Sequence, residues 1–203
     1  MKIVIYTQRV EVVEAYQERR DAADQRIADF VAACGYLPMP VPNRQEMAEK
    51  IIKSIHPSGI LLTGGNSLLM YGGNAPERDA MDAEMIRLAI QEKIPLYGFC
   101  RGMQSILSYF GNDLTDVEGH VAVRHYVKTE NRKKDRHIVN SYHNQACMEL
   151  EKQCGLYVTE RAEDGVIEAI RHESFSIAGT MWHPEREAPF SKDDINMVKD
   201  LFK

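Results

Sequence analysis

The sequence predicts an α/β fold built on a doubly wound, mostly parallel sheet. Short β-rich runs alternate with stretches of helical periodicity through the first half of the chain. One apolar run, residues 94–99, passes into a helical stretch with no loop between them, as a buried strand of such a sheet would. The 203 residues fit the size of one domain, so we predict a single domain over residues 1–203.

The first half of the chain supplies the core of the predicted sheet. Residues 2–6 form the first strand, and residues 16–34 have helical periodicity that Gly35 should end. Three prolines in residues 37–42 cannot donate ladder hydrogen bonds, which favours an edge strand over 37–41. The next elements are helix 46–55, strand 59–63, helix 79–91, strand 94–99 and helix 101–110.

The second half is less regular and richer in strands. A final helix is predicted over residues 193–202. The predicted strands are 121–128, 138–142, 157–161, 166–171 and 176–182.

Composition and charge exclude several classes of protein. The chain is 44% hydrophobic and 27% charged, as in ordinary globular proteins. The formal net charge of -5 argues against general affinity for nucleic acid. No apolar stretch approaches the roughly 20 residues that a membrane span needs, and the N-terminus has no signal-peptide pattern. We therefore expect a cytoplasmic protein with no membrane partner.

The cysteines and histidines show no metal-ligand spacing. The four cysteines also form no disulfide framework, which favours reduced thiols. We predict no metal and no cofactor. We expect surface positions for most of the following histidines: His56, His120, His125, His137 and His172.

The strongest local signal is the turn Gly98-Phe99-Cys100-Arg101-Gly102. It has the G-x-nucleophile-x-G pattern that projects a nucleophile from the end of a strand, with cysteine in place of serine. The helix that follows provides free amides and a dipole that favour a thiolate. By itself the turn also fits an ordinary buried cysteine at a strand–helix junction.

A second signal lies near the C-terminus. His183-Pro184-Glu185 places a histidine and a carboxylate two residues apart after a predicted strand. This arrangement fits a general base and the group that orients it. In isolation His-Pro-Glu is also compatible with a surface turn, but with Cys100 upstream it predicts a Cys-His-Glu triad.

The two signals resemble the signatures of class I glutamine amidotransferases and related γ-glutamyl hydrolases, a resemblance that covers nearly the whole chain. Residues 59–66 are similar to the family's oxyanion strand, with Asn66 where many members carry proline. Residues 139–145 resemble the V-N-S-x-H-x-Q segment of the free-standing γ-glutamyl-γ-aminobutyrate hydrolases. Residues 77–84 resemble the R-D-x-x-[DE]-x-E stretch of that branch. The implied fold is the flavodoxin-like fold of these enzymes.

The resemblance implies a role for each matching residue. Cys100 would attack a γ-glutamyl carbonyl carbon and form a thioester, with His183 as general base and acid. Glu185 would hold the imidazole, and the N–H groups of Gly65 and Arg101 would form the oxyanion hole.

The resemblance also implies a glutamyl-binding wall. Gln104 matches the family glutamine that contacts the substrate. Tyr142, His143, Asn144 and Gln145 would help bind the α-amino and α-carboxylate groups. His143 is also compatible with a strand-end histidine that makes a local hydrogen bond.

The segment of residues 124–137 is rich in basic residues and suggests the nature of the leaving group. If it lies at the rim of the pocket, it would suit a leaving group that carries phosphates, through Arg124 and Lys128 among others. A solvated basic loop is the alternative. Residues 7–9 and 71–79 resemble the γ-glutamyl-CDP-amidate hydrolases of capsule phosphoramidate biosynthesis. The basic residues of 124–137 are Arg124, His125, Lys128, Arg132, Lys133, Lys134, Arg136 and His137.

Several alternatives stay open at this point. The substrate could be γ-glutamyl-γ-aminobutyrate, or the chain could be a glutaminase subunit that delivers ammonia to a separate synthase. A non-catalytic binding subunit would not need Cys100, His183 and Glu185 together, and the related cysteine proteases and chaperones generally lack the terminal His-Pro-Glu. We expect a small-molecule γ-glutamyl substrate, nucleotide-linked or not. The sequence leaves the oligomeric state open, with a homodimer as one alternative.

Overall fold

A computed structural model describes residues 2–130 and 136–203. Its centre is a nine-stranded sheet in the order β4-β1-β5-β6-β13-β12-β11-β8-β9. The strands are β1 Ile3–Tyr6, β2 Arg9–Val13, β3 Glu18–Ala22, β4 Leu37–Pro40, β5 Gly59–Leu62, β6 Leu96–Phe99, β7 Thr115–Asp116, β8 Val121–Thr129, β9 Arg136–Tyr142, β10 Gln145–Ala146, β11 Leu156–Ala162, β12 Ile167–His172 and β13 Ile177–Thr180.

Five α-helices pack against this sheet. None of them, within the part of the chain that the structure describes, has the length and apolar character needed to cross a membrane. The helices are α1 Gln25–Ala33, α2 Ala48–Ile55, α3 Pro76–Glu92, α4 Arg101–Tyr109 and α5 Lys192–Leu201.

The strands β4, β1, β5, β6 and β13 are parallel to one another. Counted along the chain, this is the 2-1-3-4-5 order of flavodoxin-like doubly wound sheets, which confirms the predicted fold class. Parallel strands present their carboxyl ends at one edge of the sheet. The segments that follow β5, β6 and β13 therefore begin side by side, and they contain Gly65, Cys100 and His183.

The core lies on both faces of these strands because successive side chains of a strand point in opposite directions. In β5, Ile60 and Leu62 join the cluster under α2, α3 and α4, whereas Leu61 joins the cluster under α1 and α5. All three side chains are buried. A strand that is apolar on every residue is typical of a sheet covered by helices on both sides.

Beyond β13 the sheet continues through β12, β11, β8 and β9, each antiparallel to its neighbour. This half of the sheet explains the strand-rich second half of the sequence. The strand β9 at the edge carries the residues just before the predicted glutamyl-binding wall.

One element differs from the prediction. Residues 16–22 are not helical, because β2 and β3 form an antiparallel hairpin in which Glu11 pairs with Arg20. The helix α1 begins only at Gln25, after its N-cap Asp24. The residues of this segment favour a helix by themselves, but Asp21 accepts hydrogen bonds from Asn43, and Arg19 forms an ion pair with Glu77. These long-range contacts override the local preference.

Candidate active site

The turn around Cys100 is strained in the way that a nucleophile at a sharp strand-to-helix turn requires. Cys100 has φ 50° and ψ −113°, a conformation that a residue with a side chain rarely adopts. A Cβ atom on Gly98 would lie 2.6 Å from the backbone of Gly102, and one on Gly102 would lie 2.1 Å from the carbonyl oxygen of Leu62. Both glycines are therefore needed for β6 to turn directly into α4.

We expect Gly102→Ala to lower the free energy of unfolding by about 1–3 kcal/mol, because the new methyl group would force α4 away from β5. At an ordinary helical position the same exchange is stabilising by roughly 0.5–1 kcal/mol. Urea unfolding would measure the effect, with Ser108→Ala in the same helix as the control. A Gly102→Ala protein as stable as the wild type would contradict the close approach.

His183 and Glu185 come from the segment after β13. The Nδ1 atom of His183 lies 2.7 Å from Oε1 of Glu185, and both side chains are buried. Burial would lower the pKa of His183, but the neighbouring Cys100 sulfur and Glu185 carboxylate more than offset this and raise the pKa to about 9. The Nε2 atom has no hydrogen bond of good geometry among the described residues. Such looseness is common before a substrate binds.

The backbone of this segment is fixed from two sides. The side-chain oxygen of Asn140 accepts a hydrogen bond from the His183 N–H at 2.9 Å, and its amide donates to the His183 carbonyl at 2.9 Å. From α1, Nε of Arg26 donates to the carbonyl of Glu185 at 2.7 Å. The sequence analysis assigned no role to Asn140 or Arg26. Asn140 falls in the motif of residues 139–145, but its partner could not be read from the sequence.

The loop after β5 is held by Arg78, which is completely buried. Its guanidinium donates to the carbonyl of Gly64 at 2.9 Å and to the carbonyl of Thr63 at 2.5 Å. The Gly65 N–H belongs to the same peptide unit as the Gly64 carbonyl and, in a trans peptide, points the opposite way. The N–H therefore points away from Arg78. Gly65 has φ 135°, and a Cβ there would lie 2.5 Å from Arg78.

Asn66, where relatives of the resembled family often carry proline, anchors the same loop. Its side chain accepts a hydrogen bond from the Val10 N–H at 2.8 Å and donates to the Val10 carbonyl at 2.9 Å. The amide thus pairs with β2 as a neighbouring strand would. This contact fixes the loop to the hairpin in place of a proline ring.

The side chain of Arg101 is buried and forms ion pairs with Asp79 and Asp82 of α3. It is therefore engaged inside the protein and does not reach a pocket rim. Its N–H begins α4 and has no acceptor within the helix, as for any first helical residue. The motif of residues 77–84 thus supplies the buried Arg78, which holds the loop after β5, and the two carboxylates, of the half-buried Asp79 and the buried Asp82, that pair with Arg101.

Two residues of the expected glutamyl-binding wall meet each other. The side-chain amide of Gln104 donates to the carbonyl of Gln145 at 2.9 Å. Tyr142 is exposed, and its ring packs against His183 at 5.6 Å and against the guanidinium of Arg186 at 4.1 Å. Asn144 is exposed, and its carbonyl accepts from the N–H of Val117.

His143 has different surroundings. It is buried, and its Nε2 atom lies 3.3 Å from a carboxylate oxygen of Glu168. His120 and His125 contact the same oxygen. The expectation of surface positions is wrong for His120, which is buried, and it holds for His56 and His137, whereas His125 and His172 are half-buried.

The two basic residues chosen from the segment 124–137 lie in different places. Arg124 forms an ion pair with Glu187 at 2.9 Å, and Glu187 also accepts from Asn140, so Arg124 lies near the His183 segment. Lys128 lies four residues further along β8, about 13 Å away, beside Glu163. Lys128 therefore does not lie next to Arg124 near the His183 segment. Arg132, Lys133 and Lys134 lie outside the described residues.

Two other arginines, Arg9 and Arg186, lie beside His183, and neither was predicted from the sequence to bind substrate. A small cavity between the hairpin and the triad segment is lined by Gly64, Gly65, His183, Arg9 and Arg186. Arg9 comes from β2, so its position depends on the hairpin that the sequence did not predict. It lies in residues 7–9, which the sequence analysis had matched to known enzymes, and this match was the available signal.

Two other thiols, of Cys34 and Cys147, are buried in the core. Burial raises the pKa of Cys34 to about 12 and also raises that of Cys147. Both would stay protonated at neutral pH and react slowly.

The chain matches the sequence model of the family described as glutamine amidotransferase class-I over residues 18–202. It is 32% identical to the γ-glutamyl-CDP-amidate hydrolase of Campylobacter jejuni over 203 residues, which cover 97% of this chain and 95% of the relative. It is 26% identical to the γ-glutamyl-γ-aminobutyrate hydrolase of Escherichia coli O157:H7, over 79% of this chain and 77% of that protein.

A solved structure agrees on the fold. The crystal structure of a glutamine amidotransferase from Thermotoga maritima superposes with a TM-score of 0.65 at 16% identity, covering 98% of this chain and 83% of the other. At that level of identity the likeness concerns the fold alone.

Proposed function

Because the chain belongs to the class I glutamine amidotransferase family, we propose that it is a cysteine-dependent hydrolase of γ-glutamyl amides with Cys100 as nucleophile. The observation that carries this proposal is the position of Cys100 and His183 just beyond the carboxyl ends of two adjacent parallel strands, with Glu185 2.7 Å from the imidazole. A strained cysteine, a base and an orienting carboxylate are the parts that acyl transfer to a thiol needs.

In this mechanism His183 has taken the proton of the Cys100 thiol before the reaction begins, so that a thiolate beside an imidazolium attacks the γ-carbonyl carbon. The tetrahedral intermediate collapses to a γ-glutamyl thioester, and the imidazolium gives its proton to the leaving amine. Water, deprotonated by His183, then attacks the thioester carbon and releases glutamate and the free thiol. Glu185 keeps Nδ1 protonated so that Nε2 faces the sulfur.

The N–H groups of Gly65 and Arg101 are the proposed oxyanion donors. The Gly65 N–H is held by the contact of Arg78 with the neighbouring carbonyl, and the Arg101 N–H is at the first position of α4, where the helix itself supplies no acceptor. Such a donor is worth about 3–4 kcal/mol in comparable sites. The contact between Gln104 and the carbonyl of Gln145 supports a glutamyl-binding wall on the other side of Cys100.

For the leaving group we propose a phosphorylated amine, with γ-glutamyl-CDP-amidate as the substrate. The support is the 32% identity to a hydrolase of that compound and the two arginines, Arg9 and Arg186, that line the cavity beside His183. A diphosphate in this cavity would contact the two guanidinium groups, which form bidentate hydrogen bonds with phosphate.

The test of the activity is glutamate release by the purified protein from γ-glutamyl-CDP-amidate, γ-glutamyl-γ-aminobutyrate and glutamine. We expect the highest kcat/KM for the nucleotide compound. Faster hydrolysis of γ-glutamyl-γ-aminobutyrate would instead favour the activity named for the Escherichia coli relative. Release from none of the three would overturn the proposal.

We expect Arg9→Met and Arg186→Met each to lower kcat/KM for γ-glutamyl-CDP-amidate by about ten- to a hundred-fold, since one charge-assisted contact contributes roughly 1.5–3 kcal/mol. Methionine keeps the apolar part of each side chain. Glutamine carries no phosphate, so Arg9→Met should hydrolyse it nearly as before. Arg186 also lies 3.6 Å from Oε1 of Glu185, so Arg186→Met should lose some activity on glutamine and more on the nucleotide compound.

The matched control is Lys128→Met, which removes a cation of the same sheet beside Glu163 and away from this cavity. It should leave both rates unchanged. If the arginine variants lose equal activity on the two substrates, the substitutions disturb the active site in general, and the arginines do not bind the leaving group.

A further inference from the structure

A cluster of buried histidines surrounds one carboxylate in the antiparallel half of the sheet. Glu168 of β12 is completely buried. Its Oε1 atom lies 3.4 Å from Nδ1 of His120, 3.4 Å from Nε2 of His125 and 3.3 Å from Nε2 of His143. The ligand atoms of His120, His125 and Glu168 all lie within 4.8 Å of one another.

These atoms lack the hydrogen bonds that burial normally demands. Among residues 2–130 and 136–203, no group forms a hydrogen bond of good geometry with either carboxylate oxygen of Glu168 or with the three ring nitrogens that face it. Leaving a buried polar group unpaired costs about 1–3 kcal/mol, and a charged group costs more. A proton on Nδ1 of His120 could form a hydrogen bond only in the contact of His120 with Glu168, and it would leave the contacts of His125 and His143 with Glu168 unchanged.

We propose that His120, His125 and Glu168 bind a divalent transition-metal ion, with zinc as the best fit. In tetrahedral zinc sites the bonds to nitrogen and oxygen are about 2.0–2.2 Å, so neighbouring ligand atoms lie about 3.3–3.5 Å apart. The distances from Glu168 to His120 and to His125, 3.4 Å each, match this spacing. Imidazole ligands select zinc and its neighbours and disfavour calcium and magnesium.

A contact behind the cluster supports the same assignment. The second ring nitrogen of His120, Nε2, lies 2.7 Å from Oδ2 of Asp164. A histidine that binds metal through one nitrogen commonly donates its other N–H to a carboxylate, which fixes the tautomer. With Nε2 protonated, Nδ1 of His120 has a free lone pair directed at the cluster.

The ion would be structural, since two of its three protein ligands, His120 and Glu168, are buried. It would join β8 to β12. His143 follows Tyr142, whose ring packs on His183, and the carbonyl of Glu168 accepts from the N–H of Met181. The ion would thereby stabilise the glutamyl-binding wall next to His183, and this role does not depend on which leaving group the substrate carries.

The test uses the full chain without a histidine tag. After gel filtration, elemental analysis by mass spectrometry should find about one zinc ion per chain. Treatment with a strong chelator should lower the Tm, and zinc chloride should restore it, because a ligand that binds only the folded state stabilises it. Cobalt(II) in place of zinc should give the intense visible bands of a tetrahedral site.

Two variants locate the ion. Glu168→Gln keeps the shape of the side chain, and His125→Gln changes the half-buried member of the cluster, so at least the latter should fold. Both should lose the metal and the zinc-dependent rise in Tm. The control His137→Gln, an exposed histidine of β9, should retain both.

Absence of bound metal, together with no rise in Tm on adding zinc to the chelated wild type, would overturn the proposal. So would an unchanged metal content in His125→Gln, which would place the ion elsewhere. Neither result depends on whether the chain hydrolyses γ-glutamyl amides.

Discussion

Replacing Cys100 with serine is expected to lower kcat for γ-glutamyl hydrolysis by about three to six orders of magnitude. Oxygen and sulfur differ little in volume, so the fold should persist. The loss would arise because a hydroxyl is a far weaker nucleophile than a thiol paired with an imidazole. Initial rates of glutamate release, with circular dichroism to check the fold, would measure this.

Cys154→Ser is the control, since Cys154 is half-buried and lies away from β6. It should keep full activity. A glutamine-like diazo-ketone should label the protein once, on Cys100, and the serine variant not at all. A label mapped by mass spectrometry to Cys34 or Cys147 would contradict the assignment, and both thiols have a pKa raised by burial.

Replacing His183 with glutamine should lower kcat by about 10²- to 10⁴-fold, the range that general acid–base catalysis contributes. The double variant Cys100→Ser/His183→Gln should be no worse than Cys100→Ser alone, because residues that act as one unit have non-additive effects. The control is His56→Gln, an exposed histidine at the end of α2. Additive losses in the double variant would mean that the two side chains act separately.

The pH dependence gives a separate check on His183. Its pKa is raised from 6.5 to about 9, with the Cys100 sulfur and the Glu185 carboxylate as the raising causes. The imidazolium should therefore persist up to about pH 9, and kcat/KM should fall as the pH rises through that value. In Cys100→Ser the pKa of His183, followed by NMR, should be lower than in the wild type, because one raising cause is gone. An unchanged pKa of His183 in Cys100→Ser would show that the Cys100 sulfur does not interact with the imidazole, which would contradict the triad.

The zinc proposal and the triad proposal concern neighbouring parts of one sheet. Asn140 and Tyr142 of β9 contact His183, and His143 immediately after them faces Glu168. The end of β9 would therefore contact both the triad and the metal site. If both proposals hold, metal removal should weaken glutamyl binding more than it slows the chemical step.

The sequence by itself determined the parallel half of the fold and the identity of the triad candidates. These depend on local patterns: an apolar strand that ends in Gly98-Phe99-Cys100-Arg101-Gly102, and a strand followed by His183-Pro184-Glu185. Once the strands are known to be parallel, their carboxyl ends must share an edge, so the two segments meet without further information.

Only the tertiary structure decided the rest. The hairpin β2–β3 forms although its residues favour a helix, because Asp21 and Arg19 find partners far along the chain. The metal cluster draws its members from β8, β12 and the residue just before β8, and their spacing in sequence follows no metal motif. Local propensity and spacing report interactions between near neighbours, whereas these contacts are fixed by which strands lie side by side in the folded sheet.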